Sequence, residues 1–251
     1  MRKQRLDTLL VERGLAESIE SARAFIGAGR VLVEGQPADK AGMQFKTGCT
    51  VEIKEIQRYV SRGGQKLEAG LQYFGINPRE KVCADIGCST GGFTDCLLQH
   101  GAEKVYSVDV GYGVLDWKLR QDERVVVLER KNARYLTRED IPEPVDLAVI
   151  DASFISLELL LEPVSRMFDG AVSIVALVKP QFELPRDKVT TGGVIRERSL
   201  HEEALEKIRA FAASVGLECR GIVASPISGA KGNREFLMHI VGEQENRRKF
   251  T

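Results

Sequence analysis

Four ionisable side chains, Lys66, Asp151, Lys179 and Glu235, stand out in this 251-residue chain because of where they fall. Asp151 and Lys179 follow apolar runs that read as buried strands, and Glu235 comes just before another. Lys66 lies at the edge of an apolar helical stripe, where a solvated lysine is the ordinary expectation. Lys179 emerges from Ile174-Val175-Ala176-Leu177-Val178, and a cation there is costly without a partner or a task. A second chemical signal is the stretch Asp85-Ile86-Gly87-Cys88-Ser89-Thr90-Gly91-Gly92-Phe93-Thr94. Apolar residues lead into it and a helix-like segment, Phe93 to His100, leads out. Strand, glycine-rich turn and helix N-terminus together are where α/β proteins hold nucleotide-like ligands.

The wording of that turn departs from the three-glycine dinucleotide fingerprint. Asp85 stands where a pyrophosphate would be repelled, so a cationic ligand fits better. S-adenosylmethionine, with its ammonium and sulfonium, meets that requirement. Gly87, Ser89, Gly91, Gly92, Phe93 and Thr94 would surround it.

The elements that must position these groups alternate in type. Strands are expected at 81–86, 104–108, 125–128, 145–150, 172–178, 219–224 and 236–241. Helices are expected at 65–74, 93–100, 115–120, 157–167 and 201–215. Buried strands separated by helices indicate a parallel, doubly wound sheet. The last two strands lack an intervening helix and should form an antiparallel pair at one edge. Ligands bind at the carboxyl edge of such sheets. Asp109, after the second strand, is placed to accept both ribose hydroxyls of an adenosine, the alternative being a turn or N-cap aspartate. Asn132, after the third, could reach the adenine. A long segment from Lys179 to about Ser199 reads as a loop, either a functional lid or disordered.

Net charge is zero, but its distribution is uneven: residues 1–66 hold 12 Lys/Arg against 8 Asp/Glu. Five scattered cysteines without C-x-x-C spacing argue against a disulfide framework or a metal site and suit a cytoplasmic location. No apolar run is long enough for a membrane span, and the basic N-terminus lacks a signal peptide's apolar stretch. Within residues 1–60, Leu6, Leu9 and Leu10 predict a first helix ending at Gly14, and Ser18 caps a second. Strands follow at 31–33 and 50–53, with Arg2, Lys3, Arg5, Arg23 and Arg30 available to phosphates. Gly63-Gly64 after a polar stretch marks a joint near 57–62, so a methyltransferase body would run from 63 to 251.

Two resemblances sharpen these readings. Ser21-Ala22-Arg23-Ala24-Phe25-Ile26 and Gly29-Arg30-Val31-Leu32-Val33-Glu34-Gly35 resemble the small RNA-binding module of small-subunit ribosomal protein four and of pseudouridine synthases. That likeness implies binding to structured RNA, against the alternative of a packing or dimerisation subdomain. Lys66, Asp151, Lys179 and Glu235 match, in order and element position, the Lys-Asp-Lys-Glu tetrad of RNA ribose 2′-O-methyltransferases. Ser61-Arg62-Gly63-Gly64-Gln65-Lys66-Leu67, the turn at Gly87–Thr94, Asp151-Ala152-Ser153-Phe154-Ile155-Ser156 and Gly192-Gly193-Val194 look like the TlyA, or hemolysin A, family. The resemblance implies a Rossmann-like, seven-stranded S-adenosylmethionine-dependent methyltransferase fold of the FtsJ type. It also implies a small N-terminal α+β RNA-binding domain and 2′-O-methylation of cytidine in ribosomal RNA or ribosomal subunits.

The chemistry supports that implication independently. A ribose hydroxyl is a weak acid, so its methylation needs proton removal and alignment. Two close lysines disfavour each other's charge, which makes Lys179 the expected base. Asp151 and Glu235 would orient the pair, and Lys66 would hold ribose or phosphate. An amino-methylating enzyme would want Asn/Asp-Pro-Pro-Tyr after the fourth strand, and a cytosine-C5 enzyme a Pro-Cys nucleophile; neither motif occurs. A membrane-lysing protein, suggested by the family's other name, would need an amphipathic or apolar membrane segment or secretion, and none is readable.

Overall fold

The computed structural model describes residues 3–54, 57–190 and 192–244. The chain divides into two compact units, Met1–Gln57 and Arg58–Thr251. Residues 58–62, expected to form a joint, pack with the second unit. Tyr59 is buried there, and the Val60 N–H donates to Asp95 Oδ2 at 2.8 Å.

In the first unit, helices α1 (Leu6–Glu12) and α2 (Ile19–Gly27) accompany strands β1 (Lys3–Arg5), β2 (Val31–Val33), β3 (Gln36–Pro37), β4 (Gln44–Lys46) and β5 (Val51–Ile53). Ser18 Oγ accepts the Ser21 N–H at 3.1 Å, the N-cap that Ser18 predicts. Ala22 and Ile26 then meet Leu6, Leu9, Leu10, Val31 and Val33 in one small core. Strands β3, β2 and β5 form one antiparallel sheet, while β1 pairs with β4. Strands β1, β3 and β4 have only two or three residues each, too few for a sequence period to reveal them.

The second unit begins with α3 (Gly63–Phe74), then β6 (Val82–Ile86), α4 (Gly92–Gln99), β7 (Lys104–Val108), α5 (Trp117–Arg120), β8 (Val125–Leu128) and β9 (Leu147–Ile150). It continues through α6 (Glu158–Ser165), β10 (Ala171–Val178), α7 (Pro180–Glu183), α8 (Arg198–Ser214), β11 (Leu217–Ala224) and β12 (Phe236–Glu243). The sheet order is β11-β12-β10-β9-β6-β7-β8. Strands β6 to β10 pair in parallel, and β12 runs antiparallel to both neighbours. The predicted antiparallel pair is therefore present, but β12 is inserted and only β11 lies at the edge. Apolar side chains cover both faces in two large clusters, as the unbroken apolar strand sequences require. The stretch after Lys179 is less loop-like than expected: Pro180 opens α7, and α8 starts at Arg198.

Helix α3 packs onto β12 through Gly70, where a Cβ would lie 3.1 Å from Leu237 Cδ1. This close approach sets the distance between Lys66, on α3, and Glu235, which precedes β12. A Gly70→Val substitution should overpack the seam and cost about 1–3 kcal/mol. The expected readout is a lower urea midpoint with an unchanged slope.

Candidate active site

All strand ends that carry candidate residues meet on one rim. Asp85 lies within β6 near its end, while Asp109, Asp151 and Lys179 directly follow β7, β9 and β10. Because β12 is reversed, the residue before it comes to the same rim, and Val178 pairs with Phe236, so Lys179 and Glu235 flank one register position. Two clefts open there, of about 260 and 460 Å3, and share Gly87, Ser89 and Asp151. The smaller also has Arg62, Lys66, Gly92 and Phe93 in its wall; the larger has Asp109, Asn132 and Phe154.

The four ionisable groups form two ion pairs. Lys66 Nζ donates to Glu235 Oε2 at 2.6 Å, with side chains only 12% and 3% exposed. Lys179 Nζ lies 2.6 Å from Asp151 Oδ1 and donates to Ser153 Oγ at 2.9 Å. Lys66 is thus no solvated lysine. Each lysine has a carboxylate as its nearest charged partner, so the expected direct confrontation of the two lysines is replaced by two matched pairs.

The glycine-rich turn is built for close approach. Gly87 has φ +81°, and a Cβ there would stand 3.0 Å from the backbone of Asp151 and Ala152. Asp85 corrects the expectation that its carboxylate faces a ligand directly. It is 0% exposed, and its Oδ2 accepts the Thr94 N–H at 2.9 Å and the Thr94 hydroxyl at 2.6 Å. Gly91 and Thr94 likewise lie outside both cleft linings and shape the turn from behind. Asp109 accepts the Ser89 N–H at 2.8 Å and the Gly111 N–H at 2.7 Å. A carboxylate has about four lone-pair sites, so capacity remains for two hydroxyls. Asn132 uses Oδ1 for the Arg134 N–H and keeps its amide donors.

This cavity fits S-adenosylmethionine on three observations. Asp85 Oδ1 is buried without a hydrogen-bond partner, and burial, with Asp151 and Asp109 nearby, raises the proton affinity of Asp85. Anionic surroundings of that kind favour a cation. The uncapped N-termini of α3 and α4 border the smaller cleft beside Arg62, a setting for a carboxylate. Apolar Val108, Ala133, Ile155 and Leu160 wall the larger cleft, where Asp109 and Asn132 would meet an adenosine.

Several residues escaped sequence reasoning. Ser153 and Arg62 sit inside the quoted motifs without signalling a role, since only the fold shows what each faces. Phe154 is 90% exposed at φ +63°, with its ring 4.9 Å from that of Phe182. A bulky residue held in the left-handed region, with its ring in solvent beside an ion pair, marks a strained functional position. Cys88 lines the smaller cleft, but burial pushes its thiol well up, which removes the thiolate a nucleophile needs.

On the first unit, Arg5 and Arg23 are about half exposed and anchored on one shared carboxylate. Both pair with buried Asp7, at 2.7 and 3.2 Å, and the Arg5 hydrogen bond leads in holding the Asp7 carboxyl well below its usual range. Arg30 stacks on Phe25 at 4.6 Å and donates to the Lys54 carbonyl. Lys3 is exposed and stands directly opposite Lys46, which sequence reasoning missed because β4 was not foreseen. Arg2 lies outside the described residues.

The chain is also similar to known proteins. Residues 59–241 match the model of the FtsJ-like methyltransferase family, and residues 4–51 match the S4 domain. YqxC of Bacillus subtilis (strain 168) is 48% identical, over 95% of this chain and 86% of its own. The 16S/23S rRNA (cytidine-2'-O)-methyltransferase TlyA of Mycobacterium tuberculosis (strain ATCC 25618 / H37Rv) is 44% identical, over 95% and 90%. A solved hemolysin-named protein from Streptococcus thermophilus is 44% identical, covers 98% of this chain and 90% of its own, and superposes with TM-score 0.74.

Burial raises the Asp85 carboxyl to about 7, against the pull of Thr94 toward the charged form. The unfolded chain loses this proton near pH 4 and the folded chain near 7. The stability it contributes is therefore fully present below the unfolded value and lost as pH rises through about 7. Urea unfolding should show the wild-type advantage over Asp85→Asn falling across that window and level above it. A level difference throughout would mean the carboxyl is ionised in the fold.

Proposed function

This chain belongs to the FtsJ-like methyltransferase family, and from that membership we propose that it methylates the ribose 2′-hydroxyl of cytidine in ribosomal RNA, using S-adenosylmethionine. The observation that carries this reading is the pair of lysine–carboxylate contacts beside the two clefts, with Asp151 in the wall of both and Lys66 in that of the smaller. The similarity to an rRNA (cytidine-2'-O)-methyltransferase supports the choice of substrate. When bound, the cofactor supplies a methyl group on a cationic sulfur. Asp109 and Asn132 would hold its adenosine, and the turn at Gly87–Phe93 with Arg62 its amino-acid end.

The protein's own residues handle the hydroxyl. Lys179 Nζ is held by Asp151 Oδ1, Ser153 Oγ and the Asp151 carbonyl, and once it has given up one proton it would accept that of the 2′-hydroxyl. Asp151 then faces the ammonium that results, and the proton passes to solvent after product leaves. Lys66, braced by Glu235, donates to the ribose or an adjacent phosphate oxygen. Phe154 offers a ring on which the target base stacks. A base stacked there would align its ribose, and alignment is worth several orders of magnitude in rate.

RNA affinity would come largely from the first unit, as its S4 match suggests. Like charges directly opposite on a strand pair destabilise it, so an anionic backbone laid across Lys3 and Lys46 would relieve that repulsion. Such a substrate places the reaction in the cytoplasm. For membrane lysis the described residues offer no helix long and apolar enough to cross a bilayer.

Tritiated methyl transfer to purified ribosomal subunits, followed by nucleoside mapping, tests the reading: label should appear on the cytidine ribose. Label on a base would overturn the reaction class. Lys179→Ala should lower kcat by about 10²–10⁴-fold with cofactor affinity intact. Lys46→Glu should leave kcat alone, weaken RNA binding and reduce the salt dependence of binding by about one unit of log–log slope.

A further inference from the structure

Glu235 lines neither cleft, yet it is gripped through Gly229, which stands in the wall of the smaller one. A Cβ on Gly229 would overlap the Glu235 carboxylate, so that carboxylate lies in the space above the bare Gly229 backbone, with Lys66 on its other side. The position of Gly229 is in turn set by a tight turn. Gly229 N–H donates to the Asn233 carbonyl at 2.8 Å, and Asn233 N–H to the Ala230 carbonyl at 3.2 Å. Two successive left-handed residues make this turn, Lys231 at φ +57° and Gly232 at +83°. A non-glycine residue held there stores strain of about 1–3 kcal/mol, which other contacts must offset.

Those contacts come from one side chain. Asn233 is 3% exposed, and its carboxamide makes three hydrogen bonds. Oδ1 accepts the Ile195 N–H at 3.0 Å, and Nδ2 donates to the carbonyls of Gly193 at 2.8 Å and Ala230 at 3.2 Å. Ile195 is held from its far side by His201 on α8, whose Nε2 meets the Ile195 carbonyl at 3.0 Å. Lys231 Nζ adds a bond to the Gly192 carbonyl at 3.1 Å.

We propose that Asn233 is a positioning residue for methyl transfer: it clasps the Gly192–Ile195 segment to the Gly229–Gly232 turn and thereby fixes the Glu235 carboxylate against Lys66. The inference rests on the tetrad reading given above. Its consequence is that the segment between α7 and α8, which contains no member of the tetrad, sets the geometry of the acceptor side of the site. A disturbed Asn233 leaves the larger cleft, where the adenosine would lie, and the first unit unchanged, so the loss falls chiefly on the rate of the bound complex rather than on binding.

The experiment compares full-length wild type, Asn233→Ala, Asn233→Asp, Gly229→Ala, the Asn233→Ala/Gly229→Ala double variant and Glu235→Gln, with thermal unfolding recorded for each. Asn233→Asp is isosteric and keeps the acceptor for Ile195 while losing both donors, so it reports even if the alanine variant fails to fold. Asn233→Ala should lower kcat by about 10–100-fold, since a misplacement near 1 Å costs that much. KM for the ribosomal RNA substrate and cofactor Kd should stay within about threefold. Asn233→Asp should lose roughly tenfold in kcat. Gly229→Ala should reproduce this signature, and the double variant should be no slower than the worse single, because both displace the same carboxylate. Asn233→Asp with wild-type kcat, a loss confined to RNA KM, or losses that multiply in the double variant would overturn the proposal. Glu235→Gln with unchanged kcat would sink the tetrad reading and this inference with it. An impaired Glu235→Gln beside an intact Asn233→Asp would sink the inference alone.

Discussion

The buried contact between Lys66 and Glu235 is the constraint on which the site depends. It joins a helix at the start of the second unit to the residue before the final strand, 169 positions later. Buried ion pairs are poor sources of net stability, because desolvation takes back most of the Coulomb gain. Leaving one partner unpaired is costly, so the pair acts as a register lock. Helix α3 cannot slide on β12 without exposing one charge or stranding the other. Gly70 against Leu237 allows the close packing the pair requires, and the antiparallel direction of β12 brings Glu235 to the ligand rim. In an all-parallel sheet the residue before a strand would lie at the opposite edge.

The second pair, Lys179 with Asp151, obeys a different logic. Both residues follow parallel strands that are neighbours in the sheet, so their meeting is fixed by register alone. Behind them Asp85 holds Thr94 and locks the entry to α4, at the cost of a buried carboxylate with one oxygen unsatisfied. A group of that kind is expensive in the empty protein and cheaper when a cation lies nearby. Asp85 thus couples the order of the turn to the charge of whatever fills the cleft, without touching it.

How much of this could be read from the chain alone follows from the range of each interaction. Strand ends such as Ile86, Val108 and Val178 are marked by local apolar runs, and Asp109, Asp151 and Lys179 could be placed because they directly follow such runs. Ser18 and Gly14 announced helix ends through chemistry confined to a few residues. The burial of Asp85 was not legible, because it depends on a hydroxyl nine residues away whose direction the turn decides. The partners of Lys66 and Lys179 were equally hidden: an ordered quartet in sequence does not say which carboxylate faces which lysine. The anchoring of Arg5 and Arg23 was hidden for the same reason, since Asp7 sits within the first helix and gives no sign of being their shared partner.

The pairing of the carboxylates also bears on why ribose rather than base is the reasonable acceptor. An enzyme that methylates an exocyclic amine needs an oxygen after the fourth strand free to accept from that amine. Here Asp151 Oδ1 faces Lys179 and Glu235 Oε2 faces Lys66, so an amine would have to share carboxylates that already balance a lysine charge. Carbon methylation needs a thiolate, and the cysteine in the smaller cleft wall has its thiol form favoured by burial. What remains beside the clefts is a lysine held by Asp151 and Ser153, which becomes a base once it gives up one proton, and a second lysine fixed as a donor. That combination suits a group that must lose one proton and be gripped by its own or a neighbouring oxygen, and a sugar hydroxyl beside a phosphate has both features. Selectivity between base and ribose is therefore carried less by any one of the four residues than by the way their charges are already spent on one another.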